Sequence, residues 1–297
     1  MAAARSRKTN KAKMLVVDDE PDNLDLLYRT FRRDFNVLRA ESGNQALEVL
    51  AEHGEVAVII SDQRMPEMKG TEFLSKTVPE FPDTVRIILT GFTDVEDLVD
   101  AINAGQVYRY ITKPWNPDEL KLVVDQAATT YDLLKQRGEA IDLLQNQHWL
   151  VMEMANIAQS QADVVAALSP IAAALQKVSA ADGVAVHLVD ADALGNDMGT
   201  AGAVTTALLK QDPLVIEAIN AQQLKYLANT AKSSDASLKG LYEENGVGTH
   251  GAVPVLFRGA VTAVISLQWQ QTQEFTQALQ DFLAMASRQV ALTLACL

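Results

Sequence analysis

Five short, mostly apolar runs, at positions 14–17, 37–40, 56–60, 85–89 and 108–111, punctuate the first half of the chain. Their length suits strands, and their near-continuous apolarity implies a sheet covered on both faces. The segments between them carry helical spacing. Leu24, Leu27, Tyr28 and Phe31 share one face of a helix over 23–31, and 43–51 forms another. Short buried strands separated by helices predict an α/β doubly wound five-stranded parallel sheet. In such sheets ligands bind beyond the carboxyl ends of the strands.

The residues at those ends carry the chemistry. Asp18 and Asp19 follow the first strand, Asp62 ends the third, Thr90 ends the fourth and Lys113 follows the fifth. Three carboxylates converging on one cleft repel each other unless a cation sits among them. Hard oxygen ligands with room for water and a phosphate oxygen suit Mg2+. A single Asp-Asp pair after a strand is weak evidence, because turns are rich in Asp. The full set, each member at a different strand end, is specific.

Val16-Val17-Asp18-Asp19-Glu20, Ser61-Asp62-Gln63-Arg64-Met65-Pro66-Glu67-Met68-Lys69-Gly70, Leu89-Thr90-Gly91 and Ile111-Thr112-Lys113-Pro114 resemble the bacterial receiver domains of two-component response regulators, along that family's whole length. The resemblance implies that Asp62 is the nucleophile and the modified residue, phosphorylated by a phosphohistidine donor. It implies Mg2+ held by Asp18 or Asp19, Asp62 and the main-chain carbonyl of Arg64. Thr90 then contacts the phosphoryl group, Lys113 supplies positive charge, and Thr90 with Tyr110 forms the switch. The Lys113-Pro114 bond is expected to be cis. By the same resemblance Arg64 and Phe92 flank the path of the hydrolytic water.

After Pro117 the pattern changes. Leu120, Val124, Ala127, Tyr131, Leu134, Gly138, Ile141, Gln145, His148, Met152 and Ala155 alternate spacings of four and three, a seam for a long dimeric helix. The competing reading is two shorter helices broken near Gly138. Beyond it, 163–178 reads as helix with a kink or restart at Ser169-Pro170, 183–189 as strand, 190–202 as a turn-rich stretch and 213–221 as helix. Residues 225–231 show no clear pattern. Residues 251–257 and 261–269, joined through Arg258 and Gly259, form an antiparallel hairpin, and 275–295 a closing helix. That order predicts an α+β domain with helices on one face of the sheet. Ala252-Val253-Pro254-Val255, Val264-Ile265-Ser266-Leu267-Gln268-Trp269 and Phe275-Thr276 resemble a GAF domain. Cys296, the only cysteine, is misplaced for covalent bilin attachment, and the Asn-Lys-Phe-Asp-Glu pattern of cyclic-nucleotide GAF domains is missing. His53, His187 and His250 are isolated and read as ordinary structural or surface residues, and His148 as a seam residue.

The expected division is a disordered basic tail over 1–13, a receiver over 14–128, a connecting coiled-coil helix over 129–159 and a GAF-like domain over 160–297. A net charge of -13 argues against direct nucleic-acid binding. No apolar run is long enough for a membrane span, which points to a cytoplasmic protein. The partners expected are a sensor histidine kinase or phosphotransfer protein, a downstream output protein and a second copy in a homodimer. Catalysis is expected only of the receiver's own phosphorylation and dephosphorylation. The competing function is a small-molecule sensor, with the GAF domain reading the ligand and the receiver modulating it.

Overall fold

The computed structural model describes residues 11–91, 107–190, 193–209, 212–233 and 235–297. Phe92 and most of the basic tail therefore lie outside the described residues. The chain divides into two compact units, 1–140 and 141–297.

The first unit is a five-stranded parallel sheet. Its elements are β1 (Lys13–Val17), α1 (Pro21–Phe31), β2 (Asn36–Ala40), α2 (Gly43–His53), β3 (Val58–Asp62), α3 (Gly70–Thr77), β4 (Val85–Thr90) and β5 (Arg109–Thr112). The strand order is β2-β1-β3-β4-β5. Alternate residues of one strand enter different cores. Met14 and Val16 pack with Leu24, Leu27 and Phe31 of α1, whereas Leu15 and Val17 pack with Ala46 and Leu50 of α2. That two-sided demand is why the strands read as unbroken apolar runs. The register sets Val17 beside Ser61, Asp62 beside Leu89 and Thr90 beside Thr112, so the polar strand ends share one edge.

Helix α4 (Pro117–Ser160) is a single 44-residue helix. It passes through Gly138 unbroken, as the seam reading expects. The seam itself needs correction at its start. Leu120, Val124 and Ala127 are fully buried in the first unit's own core, beside α1 and alternate residues of the sheet, and are unavailable to a partner helix. A stripe at helical spacing cannot by itself tell an intramolecular core from an intermolecular seam.

The second unit comprises the end of α4, α5 (Val164–Ser179), β6 (Gly183–Asp190), β7 (Ala193–Gly202), α6 (Thr206–Leu209), α7 (Pro213–Ala221), β8 (Lys225–Leu227), α8 (Ala236–Glu244), β9 (Thr249–Phe257), β10 (Ala260–Trp269) and α9 (Gln277–Ala295). Its antiparallel sheet runs β7-β6-β10-β9-β8. Here the structure departs from the sequence reading three times. Most of the stretch taken as turns, 193–202, is edge strand β7 paired with β6. Lys225–Leu227, within the stretch that showed no pattern, is edge strand β8. Helices also cover both faces of the sheet. Leu168 and Ile171 of α5 and Leu283 and Val290 of α9 pack on Val184, Val186 and Ile265. Val215 and Ile219 of α7 pack on Ala185, Ala252 and Val264 from the other side. Small residues at those sheet positions hid the second apolar face. Helix α5 continues through Pro170, and the Asp163 side chain caps it by accepting from the Ala166 N–H.

Candidate functional site

The carboxyl edge of the parallel sheet gathers three side chains from separate strand ends. Lys113, following β5, places Nζ 3.0 Å from Asp18 Oδ2 and 2.5 Å from Asp62 Oδ1. Asp18 and Asp62 are 1% and 6% exposed. Each has a second oxygen fixed by its own loop. Asp18 Oδ1 accepts from the Glu20 N–H at 3.0 Å and from Asn23 Nδ2 at 3.1 Å. Asp62 Oδ2 accepts from the Arg64 N–H at 2.8 Å. One oxygen per carboxylate thus anchors the side chain while the other points to a shared cation position.

The other expected residues are placed differently. Asp19 is exposed beside this pair. Thr90 is buried at the end of β4, its hydroxyl donating to the Gly91 carbonyl at 3.1 Å. Tyr110 on β5 is 39% exposed, so its ring is not packed inside the sheet edge. The Lys113-Pro114 peptide bond is cis. Among the described residues no group of three Asp, Glu, His or Cys side chains is poised to hold a metal. The donor chemistry nevertheless fits Mg2+. Two hard carboxylate oxygens already converge on one cation, here the ammonium of Lys113.

Burial raises the Asp62 carboxyl above the ordinary carboxylate value, and Asp18 adds to the effect. Lys113 and the Arg64 N–H oppose it without cancelling it. Lys113 moves upward as well, because its bonds to Asp62 and Asp18 outweigh burial, which acts the other way. The ammonium is the secure half of the pair, since it touches two carboxylates and Asp62 touches one ammonium.

Sequence reasoning missed the supports. Asn23 orients Asp18, and Gln63 accepts from the Thr71 N–H at 3.1 Å, tying the start of α3 to the loop after Asp62. Gly70 lies so close that a Cβ there would stand 2.2 Å from the Asp62 carbonyl oxygen. The run of residues from Asp62 to Gly70 contained that signal, since a glycine eight places past a strand end marks a close return of the backbone. In the second unit, His250 takes the structural one of its two expected roles, but it is buried among partners rather than isolated. Its Nε2 lies 2.8 Å from Ser266 Oγ and its Nδ1 2.9 Å from Asp212 Oδ2.

A family model of the response regulator receiver domain matches residues 14–125, and one of the GAF domain matches residues 163–294. The chemotaxis protein CheY homolog of Campylobacter jejuni is 36% identical over 113 residues, covering 37% of this chain and 86% of that protein. The hydrogenase transcriptional regulatory protein HoxA of Cupriavidus necator is 39% identical over 144 residues, 48% of this chain and 28% of HoxA. The chain thus matches little more than a quarter of that relative's length. A response regulator receiver domain protein from Clostridium thermocellum, seen in a crystal structure, is 30% identical with a TM-score of 0.40, over 41% of this chain and 98% of that one. No helix among the described residues is long and apolar enough to cross a membrane. The chain belongs to the response regulator family, as a receiver domain followed by a GAF domain.

Proposed function

We propose that Asp62 accepts a phosphoryl group from the phosphohistidine of a sensor kinase or phosphotransfer protein, in the cytoplasm. A homodimer then carries the change through α4 and the GAF domain to a downstream output protein. The observation that carries this reading is the convergence of Asp18, Asp62 and Lys113 at the carboxyl edge of the sheet. In the transfer, an Asp62 oxygen bonds to phosphorus as the donor's P–N bond breaks, and the imidazole leaves with a proton. Such transfer depends on positioning and charge neutralisation more than on covalent activation. The Arg64 N–H and the Lys113 ammonium hold Asp62 in place for attack. Lys113 then faces the new negative charge, and the Thr90 hydroxyl, now on a main-chain carbonyl, turns to a phosphoryl oxygen. Asp18 and Asp62, with Asp19 and the Arg64 carbonyl nearby in sequence, would hold Mg2+, which supplies further charge neutralisation when bound. Movement of Thr90 leaves space that the exposed Tyr110 ring fills, altering the outer surface of β5. The chain itself needs no catalysis beyond gaining and losing this phosphoryl group.

Asp62→Asn keeps the shape of the site and removes the nucleophile. Incubation with labelled acetyl phosphate is expected to give a base-labile label on the wild type and none on the variant. A base-labile label of equal yield on Asp62→Asn would place the acceptor elsewhere.

A second reading, ligand sensing by the GAF domain, is favoured by one feature. A polar cleft of about 290 Å³ lies between the ends of β7 and β10, lined by Asp182, Thr205, Asn245 and the buried Gln268. Native mass spectrometry separates the two readings, because a small molecule retained at one per chain belongs to a sensor.

A further inference from the structure

Within the second unit, the end of α4 and the last turns of α9 leave an apolar face uncovered. Ile141, Leu144, Val151 and Met152 of α4 are 43%, 65%, 40% and 53% exposed, and Leu292 of α9 is 55% exposed. The opposite side of the same stretch of α4 is committed to the unit's own core, where Leu150, Met154 and Ile157 are buried. The uncovered residues keep a strict spacing. Ile141, Leu144, His148, Val151, Ala155 and Ala158 alternate steps of three and four, with Ile141, His148 and Ala155 at a positions and Leu144, Val151 and Ala158 at d positions. Val151, Ala155 and Ala158 line a shallow apolar groove whose other wall is Leu292 and Cys296.

Charge points to what covers this face. The chain carries a net charge of -13, so two copies repel each other over most of their surface. Over residues 141–158, however, α4 has two charged side chains, Asp142 and Glu153, and both stand away from the stripe at b and f positions. The positions flanking the stripe are Gln145, Gln147, Met152 and Met154, all uncharged. Depletion of charge around exposed apolar residues is the signature of an interface core. A heptad stripe is also complementary to an identical helix.

Resting on the homodimer reading above, we propose that this stripe is a two-fold interface with a second copy of the chain. The two α4 helices run parallel and in register over 141–158. Leu144 and Val151 meet the same residues of the second copy, and Leu292 widens the contact beside them. Orientation follows from His148. In a parallel pair a positions face a positions, so one imidazole donates to the other. In an antiparallel pair His148 faces leucine or valine and loses its partner. The seam therefore differs from the one read in the sequence, with d positions at 144 and 151 in place of Gln145 and Met152.

Cysteine cross-linking of the full chain tests the face and the orientation together. Cys296→Ser removes the only cysteine, and single cysteines are then introduced by Leu144→Cys, Val151→Cys or, on the far side of the helix, Asn146→Cys. Oxidation is expected to convert the first two into covalent dimer and leave the third monomeric on a denaturing gel. Sedimentation velocity of the unmodified chain is expected to give a dimer, and Leu144→Glu a complete loss of it. Circular dichroism unchanged by Leu144→Glu shows that the loss is not unfolding, as expected for a residue this exposed. A dimer that cross-links through position 146 and not through 144 or 151 overturns this face and leaves the homodimer reading standing. A monomer at every concentration overturns both.

Discussion

Asp62 and Asp212 are both buried carboxylates, yet their protons are held in opposite directions. At Asp62 burial prevails. At Asp212 burial also pushes the carboxyl up, but His250, the Tyr242 hydroxyl at 2.5 Å and the Leu214 N–H at 2.8 Å together bring it below the ordinary value. Asp212 has one more donor than Asp62 and no neighbouring carboxylate pushing it up as Asp18 pushes Asp62. Burial raises Tyr242 in turn, helped by its bond to Asp212, so the phenol stays protonated and donating. With His250 between Asp212 and Ser266, the arrangement has the spacing of a nucleophile triad. All of its members are at most 1% exposed, however, so no substrate reaches Ser266. Its work is to join α7, α8, β9 and β10. A depressed folded-state value contributes stability above the unfolded carboxylate value near 3.8, and that contribution is lost as pH falls through the lower folded value. Asp212→Asn keeps one acceptor oxygen, enough for the Leu214 N–H or the Tyr242 hydroxyl but not for both, and lacks the charge. Urea unfolding near neutral pH is expected to show a loss of about 1–3 kcal/mol. The gap to wild type should narrow in acid below the ordinary carboxylate value. A gap that stays constant down to acid unfolding would show that the Asp212 charge contributes nothing.

Among the elements, β7 shows how a strand escapes sequence patterning. Gly195, Asn196, Asp197 and Gly199 break any alternation and leave Thr200 as its one β-branched residue, so it reads as turn. It is an edge strand, and α5 crosses it so closely that a Cβ on Gly199 would stand 2.1 Å from the Leu168 carbonyl carbon. Glycine there serves helix–sheet contact rather than a turn. Gly199→Ala must push backbone against backbone, and a loss of about 1–3 kcal/mol is expected in urea unfolding of the second unit. Gly138→Ala is the control, because a Cβ at Gly138 meets nothing within 4 Å. Equal stability of Gly199→Ala and wild type would mean that α5 stands further from the strand. The contrast with the first unit is instructive. There β1, β3 and β4 were legible because both faces of each are buried, and even the buried Arg86 did not hide β4. Arg86 is satisfied by the Thr77 hydroxyl and the carbonyls of Thr84 and Phe81, partners no sequence pattern announces. The site was legible for a related reason: Asp18, Asp62, Thr90 and Lys113 each sit at a strand end, and a parallel sheet brings such ends together. Asn23 and Gln63 were not, because side chains that support a site carry no chemistry of their own to mark them.

On the scale of the whole molecule, α4 is the one element shared by both units, and each unit holds it by different means. In the first, Lys135 reaches Glu55 at 2.7 Å and Asp83 at 3.1 Å, extending the grip past the buried Leu120, Val124 and Ala127. In the second, Leu143 and Leu150 begin the packing. Between these holds, over 136–142, only Gly138 is even partly covered. If a phosphoryl signal travels along this helix, it depends on helical phase across that stretch. Each inserted residue turns the following helix by about 100°. A two-residue insertion after Gly138 therefore rotates it by about 200°, whereas seven residues return it to within about 20° of its original phase. Hydrogen exchange in α5 and α9, measured with and without acetyl phosphate, reads the response of the GAF domain. The phosphorylation-dependent change is expected to survive the seven-residue insertion and to vanish with the two-residue one. Asp62→Asn, carrying either insertion, should show no change at all. A response of equal size in both insertions would mean that the helix acts as a tether, with its phase irrelevant. Loss of response in both would mean that distance matters more than phase. Both insertions are made of alanine, the strongest helix former, so neither favours local unfolding of α4.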